Sequence, residues 1–413
     1  MTTSIEDTPA GLTSSWIWLL ALYSVAGFIE AGFWGQMNAF TPLYLPTLGV
    51  PAFQVNEWTG YIASLSGVIG IPFLPFWGAL ADRYGRKPII IRSFVAHLLA
   101  GVIALLARDV WVFLLARSVM SFSLGNSGLM MTTLSERAPR GRVGLAFSIM
   151  NSAAPMGAFI GPLAGGRIVD AYGLPALMAM DIALMLAVIA ALGLGYRDPF
   201  KATARQPLWR MAVDSVRIIL RSPRLRTLFP ALFLLFAGWM LAFAYVPNAT
   251  TTLYRGDEPG TAVGIVLGTG GLATLVLSPL MGALADQRGH WNVLFVGSIL
   301  AVCLWPIPAL MTGFAGFAAA WALLNGIVSG VFALSFSVLS SSATSEVRGR
   351  VMAFAYLPVN VGFIIGPAIG SVVTRVSVFA VFPAAAVMTA IGVAALAVAA
   401  WVGTRARPLD SPL

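Results

Sequence analysis

Charge is what this chain has least of. Asp, Glu, Lys and Arg make up 10% of its 413 residues, against about 25% in an ordinary soluble domain. So few charges cannot give a water-facing surface of normal polarity. With 58% hydrophobic residues and a mean hydropathy of +0.86, the chain reads as a polytopic membrane protein. Cysteine is nearly missing: Cys303 is the single copy, it lies in an apolar run, and one thiol cannot close an internal disulfide. No P-loop, metal-ligand cluster or nucleophile constellation is visible. Enzyme chemistry and ATP hydrolysis therefore have no residues to carry them, and no cofactor or metal is expected. A net charge of +9 could suggest nucleic acid. In a membrane chain it is better read as loop Lys and Arg gathered on one side, so no nucleic-acid partner is expected. The first dozen residues hold Glu6 and Asp7 but no Lys or Arg. A cleavable signal peptide needs a basic start, so the first apolar run is expected to stay as a membrane helix.

What is present is a series of apolar runs. A spanning helix needs about 20 mostly apolar residues. Twelve runs are predicted: 16–42, 58–80, 88–107, 110–133, 143–169, 174–196, 227–251, 261–284, 291–311, 316–340, 350–374 and 378–402. If the N-terminus is cytoplasmic, most Lys and Arg fall inside. The outer segments then hold Arg108, Arg255 and Arg375, while Arg117 and Arg167 lie within helices. This bias predicts both termini in the cytoplasm. Residues 197–226 separate two sets of six helices, 1–196 and 227–413. Within the separator, Trp209 to Arg221 carries apolar residues at helical spacing with basic ones between, which predicts a basic amphipathic helix on the inner leaflet.

Between the second and third runs stands Gly78-Ala79-Leu80-Ala81-Asp82-Arg83-Tyr84-Gly85-Arg86-Lys87. Gly282-Ala283-Leu284-Ala285-Asp286-Gln287-Arg288-Gly289 repeats it in the second half. Arg140-Gly141-Arg142-Val143 recurs as Arg348-Gly349-Arg350-Val351, and Gly157-x-x-x-Gly161-Pro162-x-x-Gly165 recurs as Gly362-x-x-x-Gly366-Pro367-x-x-Gly370. Three landmarks in one order argue for duplication of a six-helix unit.

The first of these stretches resembles motif A, GxxxDRxGRK, of the major facilitator superfamily. It is complete in the first copy and degenerate in the second. Residues 157–166, ending Gly165-Gly166, resemble motif C, GxxxGPxxGG, of the antiporter branch. An upstream glycine of that motif is Ser148 here. Arg117 resembles the family's motif B arginine, often linked to proton transfer, with small residues Ser121, Gly125 and Gly128 following. The resemblance implies an all-α membrane protein with twelve transmembrane helices in two pseudo-symmetric six-helix bundles and a site at their interface. It implies that Asp82 and the nearby Arg83, Arg86 and Lys87, with Arg348 or Arg350 as partner, close a cytoplasmic charge network in the outward-facing state, and that Gly78, Gly85 and Asp286 share in the gating. It also points to the 12-helix drug:proton antiporters.

The acids carry the rest. Charge inside a membrane is costly and by default functional. Glu30 and Asp181 lie well inside helices and Asp170 near an outer end, while the second six helices hold no buried acid. Glu30 is about 21 Å along its helix from Trp16, near the midplane. On its face lie Tyr23, Gly27, Trp34, Met37 and Asn38, a setting for large amphipathic cations. A carboxylate there is expected to exchange its proton against a substrate, the alternative being a hydrogen bond to a neighbouring helix for packing only. Arg117 and Asp181 lie at equal depth, about 10 Å from the outer surface, which predicts an ion pair, structural or coupling. Arg167 and Asp170 read as a local helix pair. Trp239 and Phe243 are expected to line the cavity. His97, Asn325, Tyr356 and Asn360 are more often packing hydrogen bonds than ligands, and Tyr356 and Asn360 are taken as candidate substrate contacts.

The expected function is proton-coupled efflux of small amphipathic molecules or drugs across the cytoplasmic (inner) membrane. Its partners are a small-molecule substrate, protons and the lipid bilayer, and the chain is expected to be monomeric. The alternative is a uniporter or proton symporter for a sugar, amino acid or other metabolite. A non-transporting receptor would be expected to carry an added soluble domain.

Overall fold

In a computed structural model, residues 15–70, 73, 77, 80–81, 83–123, 125–198, 217, 219–342, 351 and 354–405 are described. Their regular structure is helical. The first set of helices is α1 (Trp16–Tyr44), α2 (Val55–Gly70), α3 (Arg86–Leu106), α4 (Val110–Met120), α5 (Asn126–Arg137), α6 (Val143–Tyr172) and α7 (Leu174–Gly195). The second is α8 (Pro223–Phe243), α9 (Val246–Leu253), α10 (Pro259–Arg288), α11 (His290–Leu304), α12 (Ile307–Leu310), α13 (Phe314–Ser341), α14 (Leu357–Val373) and α15 (Val381–Arg405).

Among the described residues nine helical stretches are long and apolar enough to cross a bilayer. The other three predicted runs are covered by α2, by α4 with α5, and by α14, all too short alone. Physical breaks account for part of the difference. The 110–133 run is interrupted after Met120 by a 3-10 turn and by Gly125 at φ 97°, a backbone region that favours glycine. The 227–251 run, itself one of the nine, also breaks between Phe243 and Val246, just before Pro247, which cannot donate to the preceding turn.

The duplication is visible in the turns. Gly85 (φ 93°) and Gly289 (φ 88°) start α3 and α11 at matching places of the two loop motifs. It is visible in packing too. Helix α6 lies between α1 and α10, and α14 lies between α8 and α2, so each half lends one glycine-rich helix to the seam. A Cβ at Gly161 would stand 2.8 Å from Cα of Gly32 on α1, and one at Gly157 would run into the Phe28 carbonyl. In the second copy, a Cβ at Gly362 would meet Ala237 N at 3.1 Å and one at Gly366 Leu241 N at 2.7 Å. The glycines thus set close backbone approach. One apolar core runs from Leu19 to Tyr196, joined by Val263; two more fill the second set.

The expected inner-leaflet helix falls mostly on residues outside those described, with only 217 and 219–221 inside. Gly78, Asp82, Arg348 and Arg350 also lie outside them.

Candidate functional site

Between the two sets lies a cavity of about 550 Å³. Its wall is aromatic: Trp34 on α1, Phe159 on α6, Phe236, Trp239 and Phe243 on α8, Trp321 and Phe332 on α13, and Phe363 on α14. Trp34 stacks on Phe243 (centroids 6.5 Å, planes 13° apart) and meets Phe363 edge-on at 5.9 Å. Trp239 meets Phe243 at 6.1 Å. Polar groups are interspersed: Asn38, Arg117, Asn325, Tyr356 and Asn360 also line it. The amide of Asn325 donates to Gly270 O and Thr274 Oγ1, both at 3.1 Å.

The polar contacts between the halves cluster at the end remote from the chain termini. Arg375 Nε donates to Glu57 Oε1 at 2.9 Å. Asn248 Nδ2 donates to Asn56 Oδ1 at 2.7 Å. Asp170 accepts from the backbone N–H groups of Gly260 (2.8 Å) and Thr261 (2.6 Å), capping α10, whose N-terminus favours a negative group. Glycine contacts seal the same end: a Cβ at Gly166 would strike the Gly260 carbonyl, and one at Gly60 the Tyr245 hydroxyl. At the other end Tyr356 is an exposed lining residue. Among the described residues, the contacts that join the halves close the cavity distally, and its exposed lining lies on the side of the termini.

Several expectations change. Glu30 does not line this cavity; it turns into the first set of helices. Asn126 Nδ2 on α5 donates to its Oε2 at 2.7 Å, and His97 Nδ1 on α3 stands 3.7 Å from its Oε1. Tyr23 is off the wall too. It sits beyond the cavity's end, covered by Tyr196 at 5.6 Å. Met37 is buried in the core of the first set. Of the α1 face read from sequence, Trp34 and Asn38 are the members in the wall.

The Arg117–Asp181 pair is not formed. Arg117 Nη2 donates to Asn38 Oδ1 at 2.6 Å. Equal depth placed the two charges level but not on facing sides: α4 packs on α2 and α3, whereas α7 packs on α3, α6 and α1. Asp181, 4% exposed, has no hydrogen-bond or ionic partner among the described residues. Asp170 caps α10 rather than pairing with Arg167.

The loop motif is used locally in this state. Arg86 makes two bonds to Glu136 on α5, at 2.6 and 2.7 Å, a charge-assisted fork. Asp198, after α7, accepts from the backbone N–H of Arg86 (2.7 Å) and Lys87 (3.2 Å). Lys87 Nζ reaches Gly193 O at 2.6 Å. Arg83 lies over Tyr84, 5.3 Å from the ring centre. Asp286 is 75% exposed and meets His290 at 3.4 Å. Sequence reasoning missed Asn126, Glu57, Asn248 and the capping role of Asp170. Only Asp170, an acid near a helix end, carried a signal.

A helical membrane protein with an aromatic chamber between two repeated halves, sealed at one end, has the architecture of an alternating-access transporter. The family model of the Major Facilitator Superfamily matches residues 24–304 and 257–412. The chain belongs to that superfamily: it is a transporter of small molecules rather than an enzyme, and an integral membrane protein. It is similar to "Multidrug resistance protein MdtG" of Enterobacter lignolyticus, 27% identical over 373 residues, covering 87% of this chain and 86% of that one. The protein of the same name from Klebsiella pneumoniae is 27% identical over 384 residues, covering 90% and 89%. The nucleoside transporter NupG superposes with a TM-score of 0.75 at 15% identity, covering 92% of this chain and 98% of that one. A bacterial homolog of the lysosomal transporter Spinster gives 0.74 at 14%, covering 96% and 98%.

Proposed function

We propose that this protein expels small amphipathic molecules or drugs across the cytoplasmic (inner) membrane in exchange for protons. The central aromatic cavity, sealed at one end, carries this reading. Such a chamber suits ligands recognised by apolar area and stacking rather than by a dense polar code. The printed name of the curated relatives, multidrug resistance protein, supports it. The moving bodies are residues 1–196 and 227–413, tethered by 197–226. With both termini cytoplasmic, the state described above faces inward. The protein acts as a monomer.

Substrate contacts are assigned to Trp34, Asn38, Trp239, Phe243, Tyr356 and Asn360. The proton site is Glu30 or Asp181, both set into the first half, with Arg117 nearby in the wall. Asp82 joins the basic residues of its loop to Arg348 or Arg350 in the outward-facing state. There the motif would exchange its local bonds for bonds across the halves.

The test is drug accumulation in cells lacking their own pumps, with and without a protonophore, together with proton release from purified protein on addition of substrate. Lower accumulation that the protonophore abolishes, with proton release on binding, is expected. Raised accumulation would identify an importer and overturn the proposal.

A further inference from the structure

The cavity and the carboxylate expected to serve it are separate, and that constrains what the cavity holds. Among the described lining residues Arg117 is the one charged side chain. It is 5% exposed. Its Nη2 bonds a neutral amide oxygen, Asn38 Oδ1. Its Nη1 lies 3.9 Å from the Met120 thioether. Its Nε is buried without an acceptor among the described residues. The ion pairs seen there are Arg86–Glu136, His97–Glu30, His290–Asp286 and Arg375–Glu57, and none involves Arg117. An amide and a thioether compensate a buried cation poorly. Asp181 is held away by the packing of α7. A guanidinium retains donors in a planar fork that fits carboxylate and phosphonate oxygens.

We propose that the substrate supplies the missing counter-charge. It is an amphipathic molecule with an acidic head, a carboxylate, sulfonate or phosphonate. The head sits on Arg117 beside Asn38, and the apolar or aromatic body lies on Trp34, Phe243 and Trp239. A cationic substrate, which the sequence favoured, would face a like charge across a chamber of low polarity, where repulsion is strong. This deepens the efflux reading and rests on the cavity being the transport site.

The experiment uses purified full-length protein and three probes of one shape: 2-naphthoate, 2-naphthamide and 2-naphthylmethylammonium. Binding is read by quenching of tryptophan fluorescence and by thermal shift. Wild type is expected to bind the carboxylate about tenfold or more tighter than the ammonium. Arg117→Gln should cost the carboxylate about tenfold while leaving the amide within about twofold, and Arg117→Lys should restore part of the loss. Equal or tighter binding of the ammonium to wild type overturns the proposal. So does an Arg117→Gln protein that keeps its carboxylate affinity, or failure of all three probes at millimolar concentration. If the variants do not fold, the wild-type ranking decides alone. Drug efflux without carboxylate preference sinks this inference and leaves the efflux reading standing. Carboxylate preference at Arg117 in a protein that lowers no drug's accumulation does the reverse.

Discussion

Arg375 and Glu57 stand 318 residues apart in the chain, yet Arg375 Nε reaches Glu57 Oε1 at 2.9 Å. They come from α2 and the loop after α14, one from each half, so their bond exists only while the distal end is shut. Glu57 beside it also raises the affinity of the Arg375 guanidinium for its proton.

The pair is solvent-exposed, so it adds little to folding, but it belongs to one state and biases the equilibrium between states. Arg375→Ala should leave the melting temperature nearly unchanged and raise the reactivity of a cysteine at Asn325, on a Cys303→Ala background, toward a reagent applied from the distal side. The swap Glu57→Arg with Arg375→Glu should bring reactivity back toward wild type. Unchanged reactivity in Arg375→Ala would show that the other distal contacts suffice.

Glu30 sits off the cavity wall, so substrate and proton cannot exclude each other by direct contact through it. Exclusion must act through the position of α3 and α5, which hold its partners His97 and Asn126. By linkage, substrate that favours the deprotonated state releases a proton and binds less well as pH falls through the titration of Glu30. Glu30→Gln is expected to lose gradient-driven efflux and proton release while still binding substrate. Asp181→Asn is expected to be milder. Retained proton release in Glu30→Gln would move the proton site to Asp181.

The glycines of α6 divide by neighbour. Gly157 and Gly161 touch α1 within one half, whereas Gly166 touches Gly260 across the halves. Gly161→Ala should therefore destabilise by about 1–3 kcal/mol in any state, seen as a lower melting temperature. Gly166→Ala should instead push the distal end open, seen as a longer distance between spin labels on the two halves. Equal loss of stability in both would refute the division.

Orientation is testable by cysteine labelling on the Cys303→Ala background. Arg255→Cys and Arg375→Cys are expected to react with an impermeant reagent in intact cells, and Arg210→Cys and Arg348→Cys only after lysis. Reaction at 210 in intact cells would reverse the topology and make the described state outward-facing.

Most of the helices were legible because long apolar runs are an unambiguous signal in a bilayer, and the repeat was legible because its glycines recur in order. Interruptions were harder to read. Pro247 and Gly125 are visible as residues, but whether neighbours absorb a break or the helix parts there depends on tertiary contacts. The site was half legible. Trp34 and Asn38, one turn apart, do share the wall. Tyr23 falls beyond the cavity under Tyr196, and Glu30 turns toward α3 and α5. Helical spacing gives relative direction along one helix and not which neighbour stands there. The Arg117–Asp181 expectation failed for the same reason. The distal contacts of Asn248 and Glu57 were unreadable because their partners come from the opposite half.

The sealed distal end is closely packed: at its seam the backbones of Gly166 and Gly260 lie in contact, and Gly60 lies against Tyr245. A chamber in continuity with one compartment takes that compartment's electrical potential, so the voltage across the bilayer falls mainly over the septum that remains. Low-dielectric walls focus the field there, and each elementary charge moved through it responds by about 2.3 kcal/mol per 100 mV. Asp170, Glu57 and Arg375 stand at that septum, whereas Arg117 faces the chamber. Opening of the distal end is thus expected to depend on membrane voltage, and substrate binding inside the chamber to be nearly indifferent to it.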